Sequence, residues 1–174
     1  MKRKKNGLII IAHPDDETLF FSGLIQNKAP KYAWEIICVT DGNADGQGNR
    51  RHRQFKRACQ SLGVTKTQWW GFPDRFESRI PLSALTKKLQ EFILTSHTDI
   101  VFTHNVLGEY GHPHHQDVSF AVHQVFQTTS IPVFSTAYNA YPELKINLTA
   151  AEFQLKTKIL STIYSEETRR FAHL

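Results

Sequence analysis

The stretch "HPDDE" at residues 13–17 puts an imidazole, two aspartates and a glutamate within five positions, directly after the apolar run "LIIIA" at 8–12. Adjacent carboxylates repel one another, and a divalent cation is the simplest species that offsets the repulsion. His13 precedes Asp16 by three residues at a predicted strand-to-helix switch, where two side chains can converge on one point. Far along the chain, "GEYGHPHH" at 108–115 supplies His112, His114 and His115. Imidazole plus carboxylate, with no thiolate, suits zinc held by three protein ligands and open to water at a fourth position. Zinc lowers the pKa of such a water to about 7. On a turn, one of two neighbouring aspartates can bind the cation while the other takes the water's proton. A nearby imidazolium can then stabilise the oxyanion formed when hydroxide attacks a carbonyl. That is the minimum equipment for metal-assisted amide or ester hydrolysis.

The segments that must position these groups alternate in type. Residues 7–12, 34–40, 67–72, 99–105 and 131–138 predict strands: short, apolar and rich in β-branched or aromatic side chains. Residues 17–26, 50–63, 81–94, 116–127 and 149–164 predict helices, the last opened by a capping box of Thr149 and Glu152. The alternation predicts an α/β fold, a Rossmann-like three-layer sandwich with a mainly parallel sheet and helices on both faces. A single domain over residues 1–174 is expected, with 1–6 as a flexible basic tail. Ligands of such sheets bind outside the carboxyl ends of the strands. The segments after the first four strands are "HPDDE", "TDGNADG", "GFPDR" and "THNVLGEYGHPHH", so nearly every unusual polar cluster falls where an active site belongs.

Composition narrows the function classes. With 40% hydrophobic and 21% charged residues the chain is globular rather than disordered. Part of the net charge of +5 sits in "KRKK", and the remaining basic residues are scattered without interleaved aromatics, so nucleic acid is not the expected partner. No apolar run approaches the ~20 residues of a membrane span. The amino-terminal "MKRKKNGLIIIA" is too short in its apolar part for a signal peptide, which predicts a cytoplasmic protein. Cys38 and Cys59 read as two reduced structural thiols. A homo-oligomer stays open.

Several motifs imitate other functions. "DGNADG" at 41–46 resembles the start of a calcium loop, but its twelfth position is His52 and a strand precedes it, so it reads as a flexible border of the pocket. No G-x-G-x-x-G follows the first strand, which argues against a dinucleotide enzyme. Trp69 and Trp70 are strand neighbours that point to opposite faces and read as core packing. Asp74 stands at a strand end and reads as a pocket residue.

"AHPDDE" after an apolar strand, then "VTDG", "SLGV", "GFPD", "DIVFTHN" and "GEYGHPHH" in that order, resembles the PIG-L/LmbE-like family of zinc-dependent N-deacetylases over residues 8 to 118. The resemblance implies that His13, Asp16 and His115 bind zinc, although similar ligands hold other divalent ions. It implies Asp15 as general base and His112 as the charged histidine that holds the oxyanion. Tyr110 falls where some members have a mobile tyrosine, and Arg51 matches a substrate arginine, with Arg50 and Arg53 as alternatives in register. His114 replaces the acid of the family's usual HPDH, which would raise the pKa of the catalytic histidine. His112 should therefore lose its proton more readily, unless Asp117 or Glu109 substitutes. Gln54 stands where the family often has a glutamate. The implied function is removal of an acetyl group from an N-acetylglucosamine-type sugar or glycoconjugate. The alternatives are another amide, such as a thiol-sugar conjugate, or a catalytically weak metal-binding or basic nucleic-acid-binding domain.

Overall fold

The computed structural model describes residues 3–138 and 140–171, Phe171 by its backbone alone. Five strands form one sheet: β1 (Lys5–Ile11), β2 (Tyr32–Thr40), β3 (Lys66–Phe72), β4 (Ile100–Thr103) and β5 (Val133–Ser135). Their order is β3-β2-β1-β4-β5 and every neighbouring pair is parallel. Parallel pairing requires a crossover between strands. Helices α1 (Asp16–Leu19), α2 (Ser22–Lys28), α3 (Gly48–Ser61), α4 (Leu82–Thr95), α5 (Gly108–Gly111) and α6 (Pro113–Phe126) lie in those connections. Helices α7 (Ala150–Thr162) and α8 (Ser165–Phe171) follow the sheet. The chain begins at the sheet centre, runs out to β3, then returns to lay β4 on the other side of β1, with Ile10 beside Thr103. That reversal opens a crevice beyond the ends of β1 and β4.

The unbroken apolar run of β1 is explained by burial on both faces. Leu8, Ile10 and Ala12 pack in a core with Leu85 and Leu89 of α4 and Val118 and Val122 of α6. Ile9 and Ile11 pack in a second core with Ile25, Phe55, Ile159 and Tyr164. Each fully buried large side chain contributes about 1.5–3 kcal/mol, so the strand that leads to His13 is held from both faces. Gly7 has no side chain because the Trp34 ring lies against its Cα. Trp69 packs on the second core and Trp70 on the first, as strand alternation requires. Cys38 and Cys59 are buried and free. Among the described residues no helix is long and apolar enough to cross a membrane.

The structure departs from the sequence expectation in five places. β1 starts at Lys5, inside the expected tail: the Asn6 backbone N–H donates to Asp99 Oδ2 at 2.7 Å, which ties this end to the sheet. Residues 1 and 2 lie outside the described residues. The expected helix 17–26 is broken into α1 and α2 because Phe20 turns toward His104 and His115 while Phe21 enters the second core. β5 is three residues long rather than eight. α6 starts at Pro113, with His112 as N-cap, so His114 and His115 stand on a helical turn rather than in a loop. α7 carries both halves of the Thr149–Glu152 box as expected, but α8 was not foreseen.

Candidate active site

His13 follows β1, Asp16 opens α1 and His115 lies in the first turn of α6. His13 Nδ1 is 3.2 Å from His115 Nε2 and 3.7 Å from Asp16 Oδ2, and His115 Nε2 is 3.4 Å from Asp16 Oδ1. These contacts use both Asp16 oxygens, and among the described residues the triads whose ligand atoms all lie within 4.8 Å of one another are His13–His112–His115, His13–Asp74–His114 and Asp16–His104–His115, overlapping donor sets in which His13, Asp16 and His115 each take part. His115 donates its other ring nitrogen, Nδ1, to Glu109 Oε2 at 2.7 Å. Burial would lower its pKa, but Asp16 and Glu109 raise it to about 9, so a cation binding at Nε2 would take the place of a proton. A histidine fixed this way by a carboxylate is prepared for a metal. The residues present therefore fit a divalent cation.

Glu109 holds this wall together from behind. Besides His115 it accepts from His104 Nδ1 at 3.0 Å, from the Asn105 backbone N–H at 3.2 Å and from Thr136 Oγ1. Burial alone would raise its pKa, yet the donors, His104 and His115 foremost, hold the carboxyl far below the usual range. His104 Nε2 accepts the Ala12 backbone N–H at 3.0 Å, so its ring bonds the scaffold at both nitrogens. Sequence reasoning missed His104 and gave Glu109 a different task. The available signal was their place after β4, the strand that pairs with β1.

The two aspartates face different neighbours. Asp15 adopts a left-handed backbone, φ 105°, uncommon outside glycine. Its N–H donates to Glu17 Oε2 at 3.1 Å, while Glu17 Oε1 accepts from Thr18 Oγ1 at 2.6 Å and from Tyr164 OH at 2.9 Å. Asp15 is thereby turned toward Arg51, whose Nη2 is 3.0 Å from Asp15 Oδ2. Asp16 turns toward the histidines. Burial raises the Asp15 pKa well above the carboxylate range despite the pull of Arg51. Burial also acts on Asp16, but His115 and His104 outweigh it and hold that pKa well below the range. Adjacent carboxyls pushed apart in this way suit different tasks: a permanent anion and a proton acceptor.

His112 has no carboxylate hydrogen-bonded to its ring among the described residues. Its Nδ1 accepts the His114 backbone N–H at 3.2 Å, which leaves the proton of the neutral ring on Nε2. Burial, then His13 and His115, bring its pKa down to about 3. The direction is the one expected of a histidine whose acidic partner is replaced by His114. Neither suggested acid reaches it: Asp117 bonds Arg79 and the Ile80 N–H, and Glu109 bonds His104 and His115. His114 serves His13 instead. Its Nε2 donates to Ser78 O at 2.7 Å, and its Nδ1 lies 3.1 Å from His13 Nε2 and 3.4 Å from Asp74 Oδ1.

Of the nine site residues expected from sequence, eight line one cavity of about 240 Å³, and His115 stands just behind them. Arg51 is the arginine brought to this cavity; Arg50 bonds Glu167 at 3.0 Å, and Arg53 is exposed.

Residues 8–126 match the family described as PIG-L: GlcNAc-PI de-N-acetylase. The chain belongs to the PIG-L family. A probable N-acetylglucosaminyl-phosphatidylinositol de-N-acetylase of Dictyostelium discoideum is 30% identical over 134 residues, 73% of this chain and 52% of that protein. A 1D-myo-inositol 2-acetamido-2-deoxy-alpha-D-glucopyranoside deacetylase of Corynebacterium diphtheriae is 27% identical over 170 residues, 80% of this chain and 58% of that protein. The chain thus spans about half the length of the curated relatives it matches. The solved structure of N,N'-diacetylchitobiose deacetylase from Pyrococcus horikoshii shares the fold, with a TM-score of 0.75 at 22% identity over 92% of this chain and 70% of that one. The PIG-L match ends at Phe126, the last residue of α6, so α7 and α8 lie beyond it.

Proposed function

We propose that this PIG-L protein hydrolyses the N-acetyl group of an N-acetylglucosamine-type sugar or glycoconjugate with the help of a divalent cation, zinc being the best fit to two imidazoles and a carboxylate. The observation that carries the proposal is the pairing of Asp15 with Asp16 at one cavity: adjacent and both buried, with Asp16 3.4 Å from His115 and 3.7 Å from His13, and Asp15 3.0 Å from Arg51. His13, Asp16 and His115 would hold the ion. When bound, it supplies Lewis acidity toward the acetamide carbonyl and acidifies a water.

The chain's own groups supply the rest. Asp15 accepts the proton of the attacking water, and its raised pKa brings it closer to the acidity that proton transfer at neutral pH favours. His112 donates its Nε2–H to the carbonyl oxygen as negative charge develops there, and Tyr110 borders the same space. The proton held by Asp15 then passes to the departing amine, which leaves acetate and a free amino sugar. Arg51, Asp74 and His114 line the part of the cavity where the sugar's hydroxyls would sit. A 240 Å³ cavity lies below the range of drug-sized pockets. That size favours a ligand group of about one sugar ring, with any aglycone at the rim.

The test is release of acetate and primary amine from N-acetylglucosamine, its inositol glycoside and N,N'-diacetylchitobiose, with and without chelator. Chelation should stop hydrolysis and zinc should restore it. Stoichiometric metal uptake with no amine released from any substrate would sink the proposal.

A further inference from the structure

Arg50, Arg51 and Arg53 occupy the first two turns of α3, where unpaired backbone N–H groups already make the field positive. Cations there are disfavoured unless acids answer them. Arg53 is exposed to solvent. Arg50 bonds Glu166 through Nη1 and Glu167 through Nη2, the latter at 3.0 Å. Arg51 donates its Nη2 to Pro14 O at 2.5 Å and to Asp15 Oδ2 at 3.0 Å. Its Nε is buried without a hydrogen-bond partner among the described residues, 3.9 Å from Glu167 Oε1.

Glu167 is 7% exposed. Its Oε2 lies 3.4 Å from Gln54 Nε2, so the carboxylate sits between Arg50, Arg51 and Gln54. Gln54 is neutral and brings no charge to the arginines. Asp15 and Glu167 are the acids within 4 Å of Arg51 among the described residues. Glu167 comes from α8, beyond the last residue matched to the PIG-L family. It also lines the cavity.

We propose that Glu167 is the positioning residue for Arg51: its carboxylate balances the paired arginines and keeps the Arg51 guanidinium at the cavity wall, where it receives a neutral, hydroxyl-rich sugar. A neutral ligand follows because Asp15 and Glu167 already answer the charge of Arg51, so the guanidinium offers hydrogen bonds rather than a net positive field. The proposal rests on the amino-sugar function above.

The experiment compares wild type, Glu167→Gln, Arg51→Ala and the double variant for KM and kcat on N-acetylglucosamine, and for glucosamine affinity by calorimetry. Glu167→Gln should raise KM and the glucosamine Kd about tenfold, with kcat within threefold and metal content unchanged. In the Arg51→Ala background the same change should do nothing further. Glu166→Gln removes a contact made only to Arg50 and should leave KM alone, while Glu167→Asp, which keeps the charge, should fall between wild type and Gln. Unchanged glucosamine affinity in Glu167→Gln, multiplicative effects of the two substitutions, or an equal effect of Glu166→Gln would overturn the proposal. Because glucosamine binding is read without turnover, absence of hydrolysis would sink the function and leave this comparison standing.

Discussion

The cavity has two walls of different construction. The wall proposed to face the cation, His13, Asp16 and His115, is buried, and each side chain is fixed by a neighbour: His13 by His114, Asp16 by the His13 backbone N–H at 2.8 Å, His115 by Glu109. The non-glycine residues with left-handed backbones, Asp15 and Glu109, both belong to this wall or its support. Such conformations cost about 1–3 kcal/mol each and persist where the surroundings over-determine them. The opposite wall is loose. Phe76 is 79% exposed, Tyr110 is 56% exposed, and Asp45 and Arg170 meet in an ion pair open to solvent. The strand-end groups are thus anchored in the core, while the exposed rim can change with little cost to the fold.

The sharpest way to break this contrast is to delete one member of the cation wall. His115→Ala should abolish metal binding by calorimetry, while Phe76→Ala leaves it untouched; equal losses would erase the distinction. Asp15→Asn should keep the metal and lose about 10²–10⁴-fold in turnover, and full turnover in that variant would take the general base away from Asp15. Glu109→Gln should weaken metal affinity by about 10–100-fold through His115, without removing any proposed ligand.

A pH scan sharpens the comparison further. Burial pushes the Glu17 carboxyl up from 4.5 to about 7, against the hydrogen bonds from Thr18, Tyr164 and the Asp15 N–H. A carboxyl whose folded pKa lies above its unfolded value contributes stability that is complete below the unfolded value and is lost as pH rises through the folded one. In the metal-free protein the melting temperature should therefore drop between about pH 4.5 and 7, and Glu17→Gln should flatten that drop. A slope identical in both proteins would place the titration elsewhere. The smallest effect belongs to the rim: Phe76→Ala should move stability by no more than about 0.5 kcal/mol, and its influence should be confined to KM for glycosides with a bulky aglycone.

Much of this was legible in the chain before folding. The period of the apolar residues marked β1 through β4 and most of the helices, because alternation and helical spacing are local consequences of backbone geometry. The strand-end rule collected the polar clusters at one edge of the sheet. Boundaries failed where a single side chain had two competing destinations, as at Phe20 and Phe21, or where a proline moved a helix start, as at Pro113.

By itself, then, the sequence determined the α/β architecture and the edge that bears the chemistry, since both follow from local pattern and chain order, while the family resemblance supplied residues such as Arg51 and Tyr110. Only the tertiary structure decided who supports them. The contact between His13 and His115 spans 102 positions, and that between Glu17 and Tyr164 spans 147. Tertiary structure also set the size of the pKa shifts, downward at His112 and Asp16 and upward at Asp15. Desolvation and partner distance set those values, and neither exists until β4 is laid beside β1 and α8 closes on α3.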